Sequence, residues 1–301
     1  MRLPAAVELV EVGPRDGLQS EEVVLASDVK AEFVRRVVGS GARRVEAVSF
    51  AHPARVPQMA DAEAVLALLG PAPPGVSYIG LVMNRRGWER AEATAVDEVN
   101  FVVAASDGYS LSNQGATTAE AMAEVEALLA LARAAGRRAG VTIAVAFGDP
   151  VDGEVPAARV AELAARAVDA GATEVALGDT IGVAVPPAVV AVIGAVQREV
   201  PEATLRCHFH DTRRSGLANL YAAVTCGVTV FDTSVGGIGG SPFAPKAGGN
   251  VATEDAVAFL ERMGIAAGRD LLATIGTGAW LAEHLGHGLP AAHQHVAPWP
   301  G

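Results

Sequence analysis

Residues 174–209 read EVALGDTIGVAVPPAVVAVIGAVQREVPEATLRCHF. The stretch opens and closes with short apolar runs at 174–177 and 204–209, whose nearly continuous apolar character predicts buried parallel strands. Between them, residues 187–200 are rich in Ala and Val and have helical spacing. This order predicts one strand–helix–strand unit with a repeat of about 30 residues.

The same unit recurs along the chain. Runs rich in Val and Ile predict strands at residues 7–12, 44–50, 77–82, 98–103, 141–147, 174–177, 204–209 and 229–233. Segments with helical spacing lie at residues 27–40, 58–69, 85–94, 117–135, 156–170, 187–200, 216–226 and 252–263. Strict alternation of eight strands with eight helices favours a (β/α)8 TIM barrel over an open doubly wound sheet.

We expect the whole chain, residues 1–301, to form one domain. The barrel is predicted to span about residues 7–264, and a short C-terminal extension follows over about residues 265–301. This extension is predicted to be helical from 267 to 285, with an irregular tail from residue 290. The sequence contains no linker or low-complexity tract that would separate two domains.

Charge and composition narrow the possible partners. The chain has 23 basic and 34 acidic residues and a formal net charge of −11, which disfavours nucleic acid and anionic membrane surfaces. An anionic substrate would therefore need a local Arg or Lys site. The apolar stretches are too short to cross a bilayer, and Cys207 and Cys226 are too few for a disulfide framework. We expect a cytoplasmic protein with buried free thiols and a small-molecule substrate.

Residues with catalytic chemistry follow several of the predicted strands. Arg15 and Asp16 lie in a Gly-Pro loop after the first strand, and Glu46 is an acid inside the second. Asp179 follows the sixth strand, and the glycine-rich residues 236–240 follow the eighth. Barrel enzymes keep their active sites at the carboxyl ends of the strands, so we expect these residues to share one site.

His208 and His210 are spaced i, i+2 at the end of the seventh predicted strand. On a strand this spacing places both imidazoles on one face, here pointing into the mouth of the barrel. With the Asp16 carboxylate at the same rim, they predict a site for a divalent metal. The alternative is a pair of hydrogen-bonded histidines without a metal.

Other features also have structural alternatives. Glu46 could form a buried ion pair with Arg15, and Asp179 could cap the following turn. The glycines at 236–240 indicate either a loop with unusual φ angles or a mobile lid. Four further histidines lie in the polar C-terminal region, where we expect no metal site: His284, His287, His293 and His295.

Five motifs in this order resemble those of the 3-hydroxy-3-methylglutaryl-CoA lyases, members of a superfamily of metal-dependent aldolase and Claisen-type barrels. The motifs are VEVGPRDGLQ at 10–19, VEAVSF at 45–50, LGDTIG at 177–182, HFHDT at 208–212 and GGIGGSPFAPKAGGNVATED at 236–255. The resemblance extends over about residues 7–285, and the combination is far more specific than any one motif. It implies cleavage of 3-hydroxy-3-methylglutaryl-CoA to acetyl-CoA and acetoacetate.

The resemblance also implies a role for each matching residue. The metal, Mg²⁺ or Mn²⁺, would be held by Asp16, His208, His210 and Asn250. The residues implied in catalysis are Arg15, Glu46, Asp179, His208 and Ser241, with Arg15 steadying the enolate and His208 also moving a proton. The residues expected to contact the acyl-CoA are Gln19, Ser49, Asn113 and Lys246. Because barrels of this type often pair through helices, we expect a homodimer.

The chain departs from the family at several positions. Ser241 stands where the family has a cysteine in the glycine loop, and a serine hydroxyl is a much weaker acid than a thiol with its pKa of about 8.5. Basic residues of the family are missing near Glu22 and within 106–113, for which Lys246 is a candidate replacement, and residues 213–215 read RRS. Two alternatives therefore stay open: a lyase or aldolase for a related 3-hydroxy acid or acyl-CoA, and a non-catalytic metal-binding barrel.

Overall fold

The computed structural model of the chain describes residues 3–240, 249–297 and 299. The strands in this part are β1 Glu8–Glu11, β2 Arg44–Ser49, β3 Ser77–Val82, β4 Glu98–Ala104, β5 Arg138–Ala144, β6 Glu174–Asp179, β7 Leu205–Phe209 and β8 Val230–Thr233. Neighbours in sequence pair in parallel, and β8 pairs with β1 to close the sheet. The predicted TIM barrel is confirmed.

Helices surround the sheet and follow the strands. They are α1 Ser27–Gly39, α2 Ala62–Leu69, α3 Arg85–Glu92, α4 Asp107–Gln114, α5 Thr118–Ala134, α6 Ala157–Asp169, α7 Pro186–Glu199, α8 Gly216–Thr225, α9 Thr253–Arg262 and α10 Leu271–Leu285. None of the helices in the described ranges is long and apolar enough to span a membrane. The predicted division into barrel and extension stays a prediction.

The core lies mainly between the sheet and the helices. Phe101 on β4, Phe209 on β7 and Phe231 on β8 are at most 1% exposed, and burying each ring stabilises the fold by roughly 1.5–3 kcal/mol. Phe209 packs against Phe147 with ring centroids 5.8 Å apart, as expected for a side chain that points outward between two inward histidines. Alternate residues of the same strand thus serve the core and the site.

Charged side chains pair inside the barrel near the amino ends of the strands. Arg44, the first residue of β2, pairs with Glu98 at 2.8 Å and with Glu174 at 2.9 Å, the first residues of β4 and β6. Arg206 on β7 lies 3.2 Å from the same Glu174. Buried charges are tolerated when they are paired in this way. Because this end of the barrel is filled by ion pairs, the open end is the carboxyl end.

The structure corrects three predicted elements. Strand β5 ends at Ala144 and not at residue 147, because Val145 has φ +50° and its N–H bonds to the Thr180 hydroxyl. No helix was predicted between residues 94 and 117, whereas the structure has helix α4 there. The helix predicted over 58–69 is divided into a 3₁₀ turn, Pro57–Met59, and helix α2.

The C-terminal extension folds back onto the barrel. Its helix, predicted from residue 267, begins at Leu271 because Asp270 caps it by accepting the Ala273 N–H. The tail beyond it contains a 3₁₀ turn, Ala292–Gln294, where an irregular chain was expected. Of the two free thiols, Cys207 is buried as predicted, whereas Cys226 is partly exposed.

Candidate metal centre and its pocket

The loop after β1 is a π-helical turn, Gly13–Gly17, that carries Arg15 and Asp16. Glu11, the last residue of β1, holds the turn by accepting the Gly13 N–H, and it also accepts the Val235 N–H at 2.8 Å. A Cβ on Gly13 would lie only 2.7 Å from the Glu11 carboxylate, so the turn requires glycine there. One buried carboxylate therefore ties the loop after β1 to the loop after β8.

Asp16, His208 and His210 place their ligand atoms within 4.8 Å of one another. The Nε2 atoms of the two histidines lie 3.0 Å apart, so the i, i+2 spacing does bring both rings to one face. Asn250 joins the group because its Nδ2 donates to the Asp16 Oδ2 at 2.8 Å and to the Ile238 carbonyl at 3.0 Å. All four predicted ligands thus lie together at the carboxyl end.

The geometry fits a divalent cation. Oδ1 of Asn250 is buried and has no hydrogen-bond partner among the described residues, which is the state of an oxygen that awaits a ligand. Gly239, with φ +103°, lies so close that a Cβ there would collide with the Asn250 amide. A carboxylate, two imidazoles and an amide oxygen suit Mg²⁺, Mn²⁺, Fe²⁺ or Zn²⁺.

A second layer of charged residues supports His208. Its Nδ1 lies 3.1 Å from the Asp232 carboxylate on β8, and the other oxygen of Asp232 lies 3.4 Å from the Arg206 guanidinium. Metal-binding histidines are often oriented by a carboxylate in this way. Burial lowers the pKa of His208, but the Asp232 hydrogen bond and the Asp16 charge outweigh it and leave that pKa raised.

The neighbouring groups are electrostatically distinct. Burial, together with the charge of His208, lowers the pKa of His210 to about 4, so its ring is neutral at pH 7 and its nitrogens can bind a metal. Burial alone would raise the pKa of Asp16. Arg15 and the two histidines reverse this effect and hold that pKa well below its usual value, so Asp16 is a carboxylate.

Both structural alternatives for the predicted acids are present. Arg15 donates through Nε to Glu46 at 2.8 Å, through Nη2 to the same carboxylate, and through Nη1 to Asp16 at 2.6 Å. Asp179 accepts the N–H groups of Val183 and Ala184 through Oδ1, as a capping residue does. Its Oδ2 is buried without a partner in the described structure, and burial raises its pKa to about 6. Asp179 thus keeps one carboxylate oxygen for a chemical role, whereas Glu46 is bound to the guanidinium of Arg15.

Arg15, Asp16, His208 and His210 line a cavity of about 760 Å³ at the mouth of the barrel. Two predicted substrate contacts, Gln19 and Asn113, line the same cavity. Ser49 does not, since it is fully buried and accepts the Ala51 N–H. The remaining two predicted residues, Ser241 and Lys246, lie outside the described residues.

Sequence reasoning missed several residues of the site. Asp232 is an acid inside an otherwise apolar strand, the same signal that singled out Glu46. Tyr109 and Asn100 also line the cavity, and burial raises the pKa of the Tyr109 phenol to about 12. Asn100 donates to Thr142 at 2.9 Å and to Glu46 at 3.3 Å. No spacing rule predicts these contacts between different strands.

The C-terminal histidines form no metal-binding group with the other described residues. His287 pairs with Glu21 at 2.8 Å, and His293 pairs with Asp255 at 2.7 Å. His284 and His295 bond to backbone carbonyls. Each of the four rings thus has a local hydrogen-bond or ion-pair partner.

Comparison with known proteins gives one consistent result. The HMGL-like family model matches residues 6–279. A curated relative, the (R)-citramalyl-CoA lyase of Chloroflexus aurantiacus, is 41% identical over 97% of this chain and 95% of its own. The crystal structure of the Bacillus subtilis HMG-CoA lyase superposes with a TM-score of 0.95 at 36% identity, covering 97% of this chain and 98% of the other.

A second solved structure adds a ligand. The HMG-CoA lyase from Acinetobacter baumannii, described in complex with coenzyme A and 3-methylmalate, has a TM-score of 0.91 and 33% identity over 98% of both chains. The relatives are named as lyases of acyl-CoA esters. Coverage is nearly complete in every case, so the similarity includes the whole barrel and the loops that carry the metal centre.

Proposed function

The chain belongs to the HMGL-like family, and from this premise we propose that it is a metal-dependent carbon–carbon lyase. Its substrate is a 3-hydroxy-3-methyl acyl-CoA with a terminal carboxylate, and one product is acetyl-CoA. The observation that carries the proposal is the cluster of Asp16, His208, His210 and Asn250 at the end of a cavity large enough for an acyl chain. The relatives named as acyl-CoA lyases support the substrate class.

Cleavage of such a substrate requires negative charge to develop first on the 3-hydroxyl oxygen and then on the thioester oxygen of the enolate. When bound to the four ligands, a divalent cation supplies Lewis acidity that lowers the pKa of the 3-hydroxyl group. Arg15 lines the cavity beside this centre, where its guanidinium can stabilise the thioester enolate as the C2–C3 bond breaks. Glu46 and Asp16 hold the guanidinium in position before the substrate arrives.

The enolate of the acetyl thioester must finally gain a proton at carbon. The family resemblance makes His208 the candidate to move this proton, which it can accept at Nε2 only while that nitrogen is not bound to the cation, because Asp232 holds Nδ1. Ser241, which we also propose near the reacting carbon from its place in the motif, is a weak acid that can donate a hydrogen bond but loses its proton with difficulty.

Two substrates satisfy this chemistry. The first is 3-hydroxy-3-methylglutaryl-CoA, which would give acetoacetate as the second product. The second is citramalyl-CoA, one methylene shorter, which would give pyruvate and is favoured by the Chloroflexus aurantiacus relative. Both esters present the same 3-hydroxyl, 3-methyl and thioester groups and differ only in the distance from carbon 3 to the terminal carboxylate, so one site can accept both with different rates.

A product assay tests the proposal. Each ester is incubated with the protein and Mn²⁺ or Mg²⁺, and acetyl-CoA is measured together with acetoacetate or pyruvate. We expect acetyl-CoA from at least one ester and much less from His208→Ala, whereas His284→Ala, which alters an exposed ring outside the site, keeps the wild-type rate. If neither ester is cleaved although metal binds, the assigned activity is wrong and the non-catalytic alternative is favoured.

The variant Ser241→Cys separately tests the effect of having a serine where the family has a cysteine. If weak acidity at this position limits protonation of the enolate, the cysteine raises the rate on the preferred ester. An unchanged or lower rate would show that the serine suits the natural substrate of this chain. The proposed Mg²⁺ or Mn²⁺ preference follows from the family resemblance, and Fe²⁺ or Zn²⁺ in the same assay would reveal another choice, because two oxygens and two imidazoles suit all four ions. A homodimer in the cytoplasm stays a prediction.

A further inference from the structure

The loop after β2, residues 51–56, forms part of the cavity wall and supplies none of the four metal ligands. His52 and Arg55 are exposed side chains of this loop, and both line the cavity. Arg15, the other arginine in the wall, is bound to two carboxylates. Arg55 has no ion pair with any residue of the described ranges, so its guanidinium can bind an anion.

The backbone of this loop is ordered by its own hydrogen bonds. The His52 carbonyl accepts the Arg55 N–H at 2.8 Å, and the His52 Nδ1 accepts the Ala54 N–H at 3.2 Å. From outside the loop, Arg90 on α3 donates to the Ala51 carbonyl at 3.0 Å. Because Nδ1 is an acceptor, a neutral His52 ring carries its proton on Nε2 and offers a second donor.

The loop after β2 differs in charge from the part of the cavity wall that α5 supplies. Glu120 and Glu124 of α5 line the same cavity and would repel an anion. Their carboxylates accept the Thr117 and Arg85 N–H groups, which keeps them in place. In a chain of net charge −11, the described lining residues that favour a phosphate away from the carboxylates bound to Arg15 are therefore His52 and Arg55.

We propose that His52 and Arg55 form a phosphate subsite for the coenzyme A part of the substrate, an inference that rests on the proposed function. Amide side chains that can bond the amides of the pantetheine arm also line the cavity: Gln19, Asn84, Asn113 and Gln114. The acyl group then lies at Arg15 and the metal centre, and the phosphates lie at the loop after β2. Arg55 binds a phosphate through two parallel N–H donors, which a lysine cannot reproduce.

Truncated substrates test the subsite. The wild type and Arg55→Ala are compared on the preferred acyl-CoA, on its 3′-dephospho form and on the acyl-pantetheine, which lacks all the phosphates. We expect KM for the acyl-CoA to rise about tenfold in Arg55→Ala, the effect of losing a charge-assisted pair, while KM for the acyl-pantetheine is unchanged. Arg86→Ala, an exposed arginine of α3 that lines an outer groove and not this cavity, makes the same charge change and should leave both KM values unchanged.

The 3′-dephospho ester identifies which phosphate is bound. If KM still differs between the wild type and Arg55→Ala on this ester, the subsite binds the diphosphate. If the two KM values become equal, the subsite binds the 3′-phosphate. Either result supports the subsite. An Arg55→Ala effect that is equal on acyl-CoA and acyl-pantetheine, or absent from both, overturns it.

Binding of free coenzyme A and of pantetheine, measured by calorimetry, separates this inference from the proposed function. A wild type that binds coenzyme A more tightly than pantetheine, with the difference reduced in Arg55→Ala, supports the subsite even if the tested esters are not cleaved. Equal affinity of the wild type for both compounds overturns it, whatever the outcome of the cleavage assay.

Discussion

At the residue scale, the orientation of His208 decides whether its ring can bind a metal. Asp232 accepts at Nδ1, which leaves Nε2 facing His210 and Asp16. Arg206 lies 3.4 Å from Asp232 and is 1% exposed, so a buried guanidinium pairs with the carboxylate that orients His208. A chain of contacts from Arg206 through Asp232 to His208 thus connects the ion pairs inside the barrel to the metal centre.

Replacing Asp232 by asparagine should weaken metal binding without removing a ligand. The amide can donate to Nδ1 and so stabilise the wrong tautomer, with the Nε2 proton directed at the metal. We expect Mn²⁺ affinity to fall about ten- to a hundredfold, as is typical when such a partner is lost. Calorimetric titration measures it, and Asp211→Asn is the control, because Asp211 instead accepts the Gly216 N–H. Equal affinities for the two variants would contradict this role.

Some residues of the site could be predicted from the sequence pattern alone, and others only through the family resemblance. The inward direction of His208 and His210 follows from the two-residue period of a strand. Asn250, by contrast, was identified through the family resemblance, because it contacts Asp16 across a sequence separation of 234 positions. Ser49 differs from the prediction. The resemblance implied that it contacts the acyl-CoA, but its hydroxyl is buried and accepts the Ala51 N–H.

At the element scale, the segment after β8 is held by the C-terminal tail. Gly236 has φ +74°, and a Cβ there would collide with Leu289, while the Gly236 carbonyl accepts the Ala291 N–H. Glu254, the second residue of α9, accepts the Gly236 N–H and the Gln294 amide. Helix α9, the tail and the glycine segment beside the metal centre therefore depend on one another.

Gly236→Ala should lower the free energy of unfolding by more than the left-handed φ angle alone would cause. Gly227 has φ +86° with open space around it, so Gly227→Ala isolates the cost of a left-handed alanine, roughly 1–2 kcal/mol. Gly236→Ala adds the collision with Leu289, which contributes typically about 1–3 kcal/mol more. Urea unfolding measures both variants. Equal losses would show that the tail moves aside without cost.

Glu254 should make stability depend on pH. It is fully buried, and burial raises its pKa from 4.5 to about 7, against the opposing effect of Gln294 and the Gly236 N–H. Since its folded pKa is the higher one, its stabilising contribution is complete below about pH 4.5 and is lost as pH rises through 7. The melting temperature of Glu254→Gln minus that of the wild type should therefore increase as pH rises from 4.5 to 8, because only the wild type loses stability over this range. Glu261→Gln, on the exposed face of α9, is the control, and a gain that is constant with pH would contradict the assignment.

Helix α4 shows why some elements escape sequence analysis. Its first turn is held by acids about 40 positions further along the chain, because Asp149 accepts the Tyr109 N–H and Asp152 accepts the Gly108 N–H. The segment itself has Gly and Ser in place of an apolar stripe. The strands and the other barrel helices have such a pattern locally, and their ends were mostly correct to within a few residues.

At the scale of the whole molecule, alternation and length were enough to predict the barrel. Eight apolar runs separated by helical segments leave few other arrangements for a parallel sheet. What the pattern does not contain is the pairing of buried charges such as Arg44 with Glu98 and Glu174, because these residues are distant in sequence. The fold places this layer at one end and the metal centre at the other.

The most direct test of the central claim is acetyl-CoA release from metal-stripped protein titrated with Mn²⁺. The account predicts no release before the cation is added, release that saturates as the site fills, and none from His210→Ala over the same range. Folding of that variant is checked by its melting temperature without metal. Undiminished release from the stripped wild type, or from His210→Ala, would contradict the claim that Asp16, His208, His210 and Asn250 hold the cation on which cleavage depends.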